Sequence, residues 1–237
     1  MKKILPYISA MLVVFFVSCK KQEEEKPKVI YDATSKAKPE VTADTNQILI
    51  ADLPVNMEGT SYLIHPIGVV SGKGKGLKSS SDSGEGFTVS NYGEYQITGY
   101  LKNLKFQEIG KDTIYSLTDK PVLIETATYL KTFADKTKQQ LMLYSLADMD
   151  TNKDGKLDSN DIKSLYVSTV SGQKFTKLSA DFQELVDWKI IESKNLLYFR
   201  TIGDANKNGE FETNDFVHYY FVNLLDKDWK VQEYKPI

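Results

Sequence analysis

Two short stretches hold the densest oxygen chemistry in the chain. "DTNKDGKLDSND" runs from Asp150 to Asp161, and "DANKNGEFETND" runs from Asp204 to Asp215. A hard divalent cation such as Ca2+ takes about six to eight oxygen ligands at about 2.3–2.6 Å. One loop supplies them if alternate residues face inward, a glycine permits a sharp bend and an acid closes the far side. In the first stretch Asp150, Asn152 and Asp154 take positions one, three and five, with Gly155 at the bend. Lys156 at seven offers its carbonyl, Leu157 at eight is an apolar plug, Asp158 at nine binds directly or through water, and Asp161 closes. The second stretch aligns in the same register: Asp204, Asn206 and Asn208, then Gly209, Glu210 through its carbonyl, Phe211 as plug, Glu212 and Asp215. Asn at both three and five lowers the ligand charge, so weaker binding is expected there than in the first loop.

Both stretches resemble the calcium loops of the EF-hand family, and the first carries the full twelve-residue pattern. The closing residue departs from it. An EF-hand usually closes with Glu, which reaches the ion with both oxygens, whereas Asp161 and Asp215 are one methylene shorter. Dockerin-type loops commonly close with Asp, and the resemblance to them covers the loops alone. The competing reading is that Asn/Asp-Gly clusters make turns without any metal. Against it, two such loops share one register, fifty-four residues apart, and each runs through "ND" into an apolar segment.

The segments flanking the loops must position them. "IKSLYV" and "FVHYYFV" carry apolar residues at helical spacing, yet both are rich in β-branched and aromatic types, and "NLLYFRTIG" reads as a strand. Strand–loop–strand is therefore expected, with one helical turn at "SND" and "TND"; helix–loop–helix is the alternative. The longer match of "LMLYSLADMD…" to "LLYFRTIGDA…" indicates an internal repeat. Its cadence of short strands and polar hairpins resembles β-propeller blades, although the chain is short for a closed propeller. The expected fold is mainly β: antiparallel meanders resembling propeller blades, with two calcium-binding loops inserted between strands.

The N-terminus reads as an address. "MKKILPYISAMLVVFFVSC" has two lysines, a short apolar run and Cys19, the single cysteine of the chain. "FVSC" resembles the lipobox of bacterial lipoproteins, which implies cleavage before Cys19 and lipidation of that residue. "KKQEEEKPK" is charged and Pro-punctuated and reads as a solvated tether. Its Glu23–Glu25 run resembles an acidic signal for outer-surface export. The expected division is a signal peptide at 1–18, a lipidated flexible tether at 19–45, an N-terminal β region at 46–110 with a mobile Gly/Ser loop at 71–86, and β repeats at 111–237. An outer-membrane lipoprotein facing the periplasm or the cell surface follows, with the membrane as partner through the lipid.

Other chemistries find little support. The chain has one arginine, Arg200, and net charge −2, so no nucleic-acid footprint is expected. "GKGKG" fails the spacing of a P-loop. His65 and His218 lack ligand spacing to another histidine, "GTSYL" lacks the final glycine of a nucleophile elbow, and Ser171–Lys174 is a bare Ser-x-x-Lys in a turn. Trp188, Tyr198, Phe199, Tyr219, Tyr220, Phe221 and Trp229 form either core or a sugar-stacking platform. No catalytic machinery is expected. The reading is an exported lipoprotein with structural Ca2+. The alternatives are a glycan- or protein-binding module with a calcium-ordered face, or a calcium-stabilised hydrolase.

Overall fold

The computed structural model describes residues 26–31, 47–71 and 88–237. The expected signal peptide, Cys19, most of the tether and nearly all of loop 71–86 lie outside the described residues. Among those described, no helix is long and apolar enough to cross a membrane. The protein is mainly β, with antiparallel sheets, one of them curled into a half-barrel.

The chain opens with β1 (Gln47–Ala51), β2 (Val55–Asn56) and β3 (Tyr62–Ser71). "ILIA" and "LIHPIGVV", the first expected strand pair, are joined antiparallel, with Ile50 opposite Gly68. A hairpin follows, β4 (Ser90–Gly93) and β5 (Gln96–Leu101); β6 (Asn103–Glu108) and β7 (Ile114–Ser116) then return to the first sheet, ordered β1-β3-β6-β7 with β2 beside β3. Next come β8 (Leu123–Tyr129), α1 (Lys131–Thr137), β9 (Leu141–Ala147), β10 (Ser164–Thr169) and β11 (Thr176–Lys177). With β4 and β5 these strands make a six-stranded sheet, ordered β11-β10-β9-β8-β5-β4. The last sheet is a four-stranded meander of β12 (Gln183–Ile191), β13 (Leu196–Gly203), β14 (Phe216–Asn223) and β15 (Val231–Glu233).

The six-stranded sheet lies between the other two, and its sequence explains why. Successive side chains of a strand point to opposite faces. In β9, "LMLYSLA", Met142, Tyr144 and Leu146 join Ile64, Ile97, Phe106 and Ile124 in one core cluster. Leu141 and Leu143 point the other way, into a second cluster with Leu165, Val167, Leu197, Phe199, Val222 and Trp229. A strand apolar at nearly every position is what burial on both faces requires. The buried Tyr144 hydroxyl is satisfied by Ser168 Oγ at 2.7 Å.

The two repeat units are hairpins. β9 and β10 pair across the first polar loop, with Leu146 opposite Ser164. β13 and β14 pair across the second, with Gly203 opposite Phe216. Strands thus enter and leave both loops, and the helix–loop–helix alternative is excluded. Where one helical turn is expected, each loop has a single hydrogen-bonded turn that is not helical: Asp161 N–H donates to Asp158 O, and Asp215 N–H to Glu212 O, both at 3.2 Å. The helical spacing after each loop misleads because β-branched and aromatic residues continue a sheet whose register the hairpin has already set.

Candidate functional site: two matching polar loops and the segment between them

Each loop winds around its own side-chain oxygens. In the first, Asp150 Oδ2 accepts from Gly155 N–H at 2.9 Å, and Asp150 Oδ1 from Asp154 N–H at 3.2 Å. Asn152 Oδ1 accepts from that same Asp154 N–H at 3.0 Å, and Asp154 Oδ1 from Lys156 N–H at 2.8 Å. Asp161 folds back across the loop: Oδ1 accepts from Thr151 N–H at 2.7 Å and Oδ2 from Asp158 N–H at 3.0 Å.

The second loop repeats this pattern bond for bond. Asp204 accepts from Gly209 N–H at 2.6 Å and Asn208 N–H at 3.3 Å. Asn206 Oδ1 accepts from Asn208 N–H at 2.8 Å, and Asn208 Oδ1 from Glu210 N–H at 2.8 Å. Asp215 closes onto Ala205 N–H at 3.0 Å and Glu212 N–H at 2.8 Å. Backbone angles match as well: Lys153 and Lys207 both have φ +58, and Gly155 and Gly209 have φ +83 and +86. Left-handed backbone of this kind suits glycine at the bend.

The sequence-predicted residues therefore fall at equivalent places in two equivalent loops. Asp150, Asn152, Asp154 and Asp161 each accept from loop amides in the first, where Asp158 Oδ1 accepts from Asn160 N–H at 2.9 Å; Asp204, Asn206, Asn208 and Asp215 do the same in the second, where Glu212 is exposed. Lys156 and Glu210 occupy the position whose carbonyl would serve. Among the described residues no group of three or more His, Cys, Asp or Glu side chains is gathered as a metal site. The loops divide their oxygens among carboxylates, Asn side chains and main chain, and the carboxylates turn toward the loops' own amides. Leu157, the plug, is buried against Leu123 and Ala147, whereas Phe211 is half-buried.

Burial singles out the closing acids. Asp161 and Asp215 are buried. Burial pushes the Asp161 carboxyl up from the ordinary carboxylate range; N–H donors from Asp158, Thr151 and Asn152 oppose that shift, and the charge of Asp150 adds to it. Past the first loop, Lys163 N–H donates to Glu184, whose carboxyl burial pushes up to about 7. Lys163 Nζ stands 3.6 Å from Glu125 and 3.9 Å from Glu184.

Sequence reasoning missed the segment that joins the loops. Residues 26–31, inside the stretch expected to be tether, run between them. Val29 N–H donates to Gly209 O at 2.9 Å, Ile30 N–H to Thr151 O at 2.8 Å and Lys28 N–H to Asn160 O at 3.2 Å. Thr151 Oγ1 returns a bond to Lys28 O at 2.8 Å. Val29 is 2% exposed, Lys28 pairs with Glu210 at 3.2 Å, and the Tyr31 ring lies 6.1 Å from Phe182. The Tyr31 hydroxyl is pushed up by burial and then by the charge of the Asp204 carboxylate. The available signal was "KVIY", a short apolar run after a proline in an otherwise polar leader.

Other candidates resolve locally. His65 Nε2 lies 3.3 Å from Gln107 Oε1, and His218 Nδ1 lies 3.3 Å from Glu233 Oε1. Ser171 is buried in the turn after β10, where its carbonyl accepts from Tyr115 OH at 2.8 Å. The aromatic set divides by strand parity. Phe199 and Trp229 are buried in the core, with Trp188 and Tyr220 packed against it. Tyr198, Tyr219 and Phe221 alternate with them on the opposite face of the last sheet and gather around the Tyr234 ring at 5.5–6.0 Å.

No protein-family model, no curated protein and no solved structure matches the chain.

Proposed function

We propose that the chain is an exported lipoprotein whose two matching loops each bind a Ca2+ ion as a structural element. One observation carries this reading: the same fold-back pattern, with the same left-handed positions, recurs in two loops whose sequences share the EF-hand-like spacing. Turn chemistry alone requires neither the repetition nor a buried acid closing each loop. The ion takes its oxygens from Asp150, Asn152, Asp154, Asp158, Asp161 and the Lys156 carbonyl, and in the second loop from Asp204, Asn206, Asn208, Glu212, Asp215 and the Glu210 carbonyl. In the first loop its charge compensates the Asp161 carboxylate, which burial penalises. The blade comparison applies to the four-stranded meander β12–β15.

A calcium-ordered binding module is the second reading. Tyr198, Tyr219, Phe221 and Tyr234, on the face of the last sheet away from the core, favour it. Protein or glycan is the ligand class on that reading, and membrane attachment is through lipid on Cys19.

The test is a melt with and without chelator. A site of about 10⁻⁴–10⁻³ M in 10 mM calcium stabilises the fold by about 1.4–2.7 kcal/mol. Asp150→Ala is expected to remove the first loop's share, and Cys19→Ala to release the protein from membranes. An unchanged melt in wild type and variant reduces the loops to turns, and membrane retention of the Cys19 variant refutes the anchor.

A further inference from the structure

We infer that Lys28–Ile30 is a strap that couples the two polar loops, so that docking of the leader and loading of the loops with calcium strengthen each other. The inference rests on the calcium reading above. The strap's partners are the loops' own main chain: Thr151 O at position two and Asn160 O at position eleven of the first, and Gly209 O at position six of the second. No other described segment bonds to both loops through its main chain. Loop closure sets where those carbonyls point, so the strap's seat is complete only when both loops hold their closed form.

Thr151 makes the connection close. Its hydroxyl donates to Lys28 O at 2.8 Å, lies 3.2 Å from Asp161 Oδ1 and accepts from Ile162 N–H at 3.1 Å. The strap and the acid that closes the first loop thus meet on one buried side chain. At the second loop the approach is tighter still. A Cβ at Gly209 would stand 2.3 Å from Val29 O, whereas a Cβ at Gly155 would meet nothing within 4 Å among the described residues. The two glycines are equivalent in their loops and differ in that only Gly209 lies against the strap.

The strap also bears on where the loops sit. Eight residues lie between Cys19 and Lys28, nine Cα-to-Cα steps with a reach of at most about 30 Å for extended chain. A docked strap therefore holds the two-loop end of a lipid-anchored molecule close to the membrane surface, while an undocked one lengthens the leash.

Reciprocity follows from linkage: if calcium favours docking by some factor, docking favours calcium by that same factor. The experiment compares the intact wild-type chain in detergent with Val29→Asp, which puts a charge where Val29 is buried and leaves every residue of both loops unchanged. Calcium affinity is measured by calorimetry, and amide exchange at Lys28, Val29 and Ile30 is followed with 10 mM calcium and with chelator. The expected results are an affinity about tenfold weaker in the variant and, in wild type, exchange at those amides slowed about tenfold by calcium. An affinity within twofold of wild type, or exchange that calcium does not alter, overturns the strap while leaving the calcium reading standing. No calcium uptake by wild type overturns the calcium reading itself.

Discussion

Gly155→Ala and Gly209→Ala form a matched pair of perturbations. Both residues sit at the bend of their loops with nearly equal φ, +83 and +86. Each alanine therefore carries a similar left-handed strain of about 1 kcal/mol. Around Gly155 the added methyl meets no atom of the described residues within 4 Å; at Gly209 it would lie 2.3 Å from Val29 O, a main-chain atom that cannot swing aside. The strap must leave. Leaving exposes Val29, about 1.5–3 kcal/mol of burial. It also breaks the main-chain bonds of Lys28, Val29 and Ile30, each about 0.5–1.5 kcal/mol net. Regained backbone freedom, about 1–2 kcal/mol per residue, offsets most of that sum. The remainder is about 1 kcal/mol beyond the strain shared with Gly155→Ala. For a chain of this size it lowers the melting temperature by about 2–4 °C more in Gly209→Ala than in Gly155→Ala. The assay is urea and thermal unfolding of both variants in chelator, so that metal binding does not enter. Equal destabilisation of the pair refutes the reasoning, because it means that the contact at Val29 carries no net stability.

Glu184 predicts a pH dependence. Its folded carboxyl is raised to about 7 from an ordinary 4.5. The native state therefore holds this proton more tightly than the unfolded chain does. Its contribution is complete below about pH 4.5, declines as pH rises through about 4.5–7 and is flat above, a loss on the order of 3 kcal/mol. Glu184→Gln is expected to remove that slope, giving a larger gain over wild type at pH 8 than at pH 5 in urea melts; parallel curves would contradict the assignment. Leu157→Ala is expected to cost about 2–3 kcal/mol, because the plug is buried against Leu123 and Ala147. The same variant weakens the first loop's calcium binding in a titration, and a change under about 0.5 kcal/mol would show that the plug is not holding the loop to the sheet.

Much of the fold was legible where the pattern was strong. "NQILIADL" and "SYLIHPIGVV" paired as expected, and the fifty-four-residue match marked two hairpins with alike loops. The flanks were harder, because Ile162, Leu165 and Tyr166 fit helical spacing as well as the start of a strand. Register across the hairpin, a non-local property, decided between them. Sheet assignment was not legible, since nothing local tells β6 and β7 to rejoin β3 rather than continue the β4–β5 hairpin. That the two loops close alike was legible because the residues that close them lie within twelve positions. The strap was missed because its stability comes from carbonyls more than a hundred residues away, and Lys28–Tyr31 is too short to show a period.

The central claim is tested most directly by calorimetric titration of the metal-free intact chain in detergent with calcium. Two bound ions per chain are predicted, with the second loop weaker than the first because Asn208 stands where Asp154 does. Asp150→Ala should leave one ion, bound with the weaker affinity. No heat and no uptake at millimolar calcium would contradict the account and leave two hydrogen-bonded turns on a β-protein.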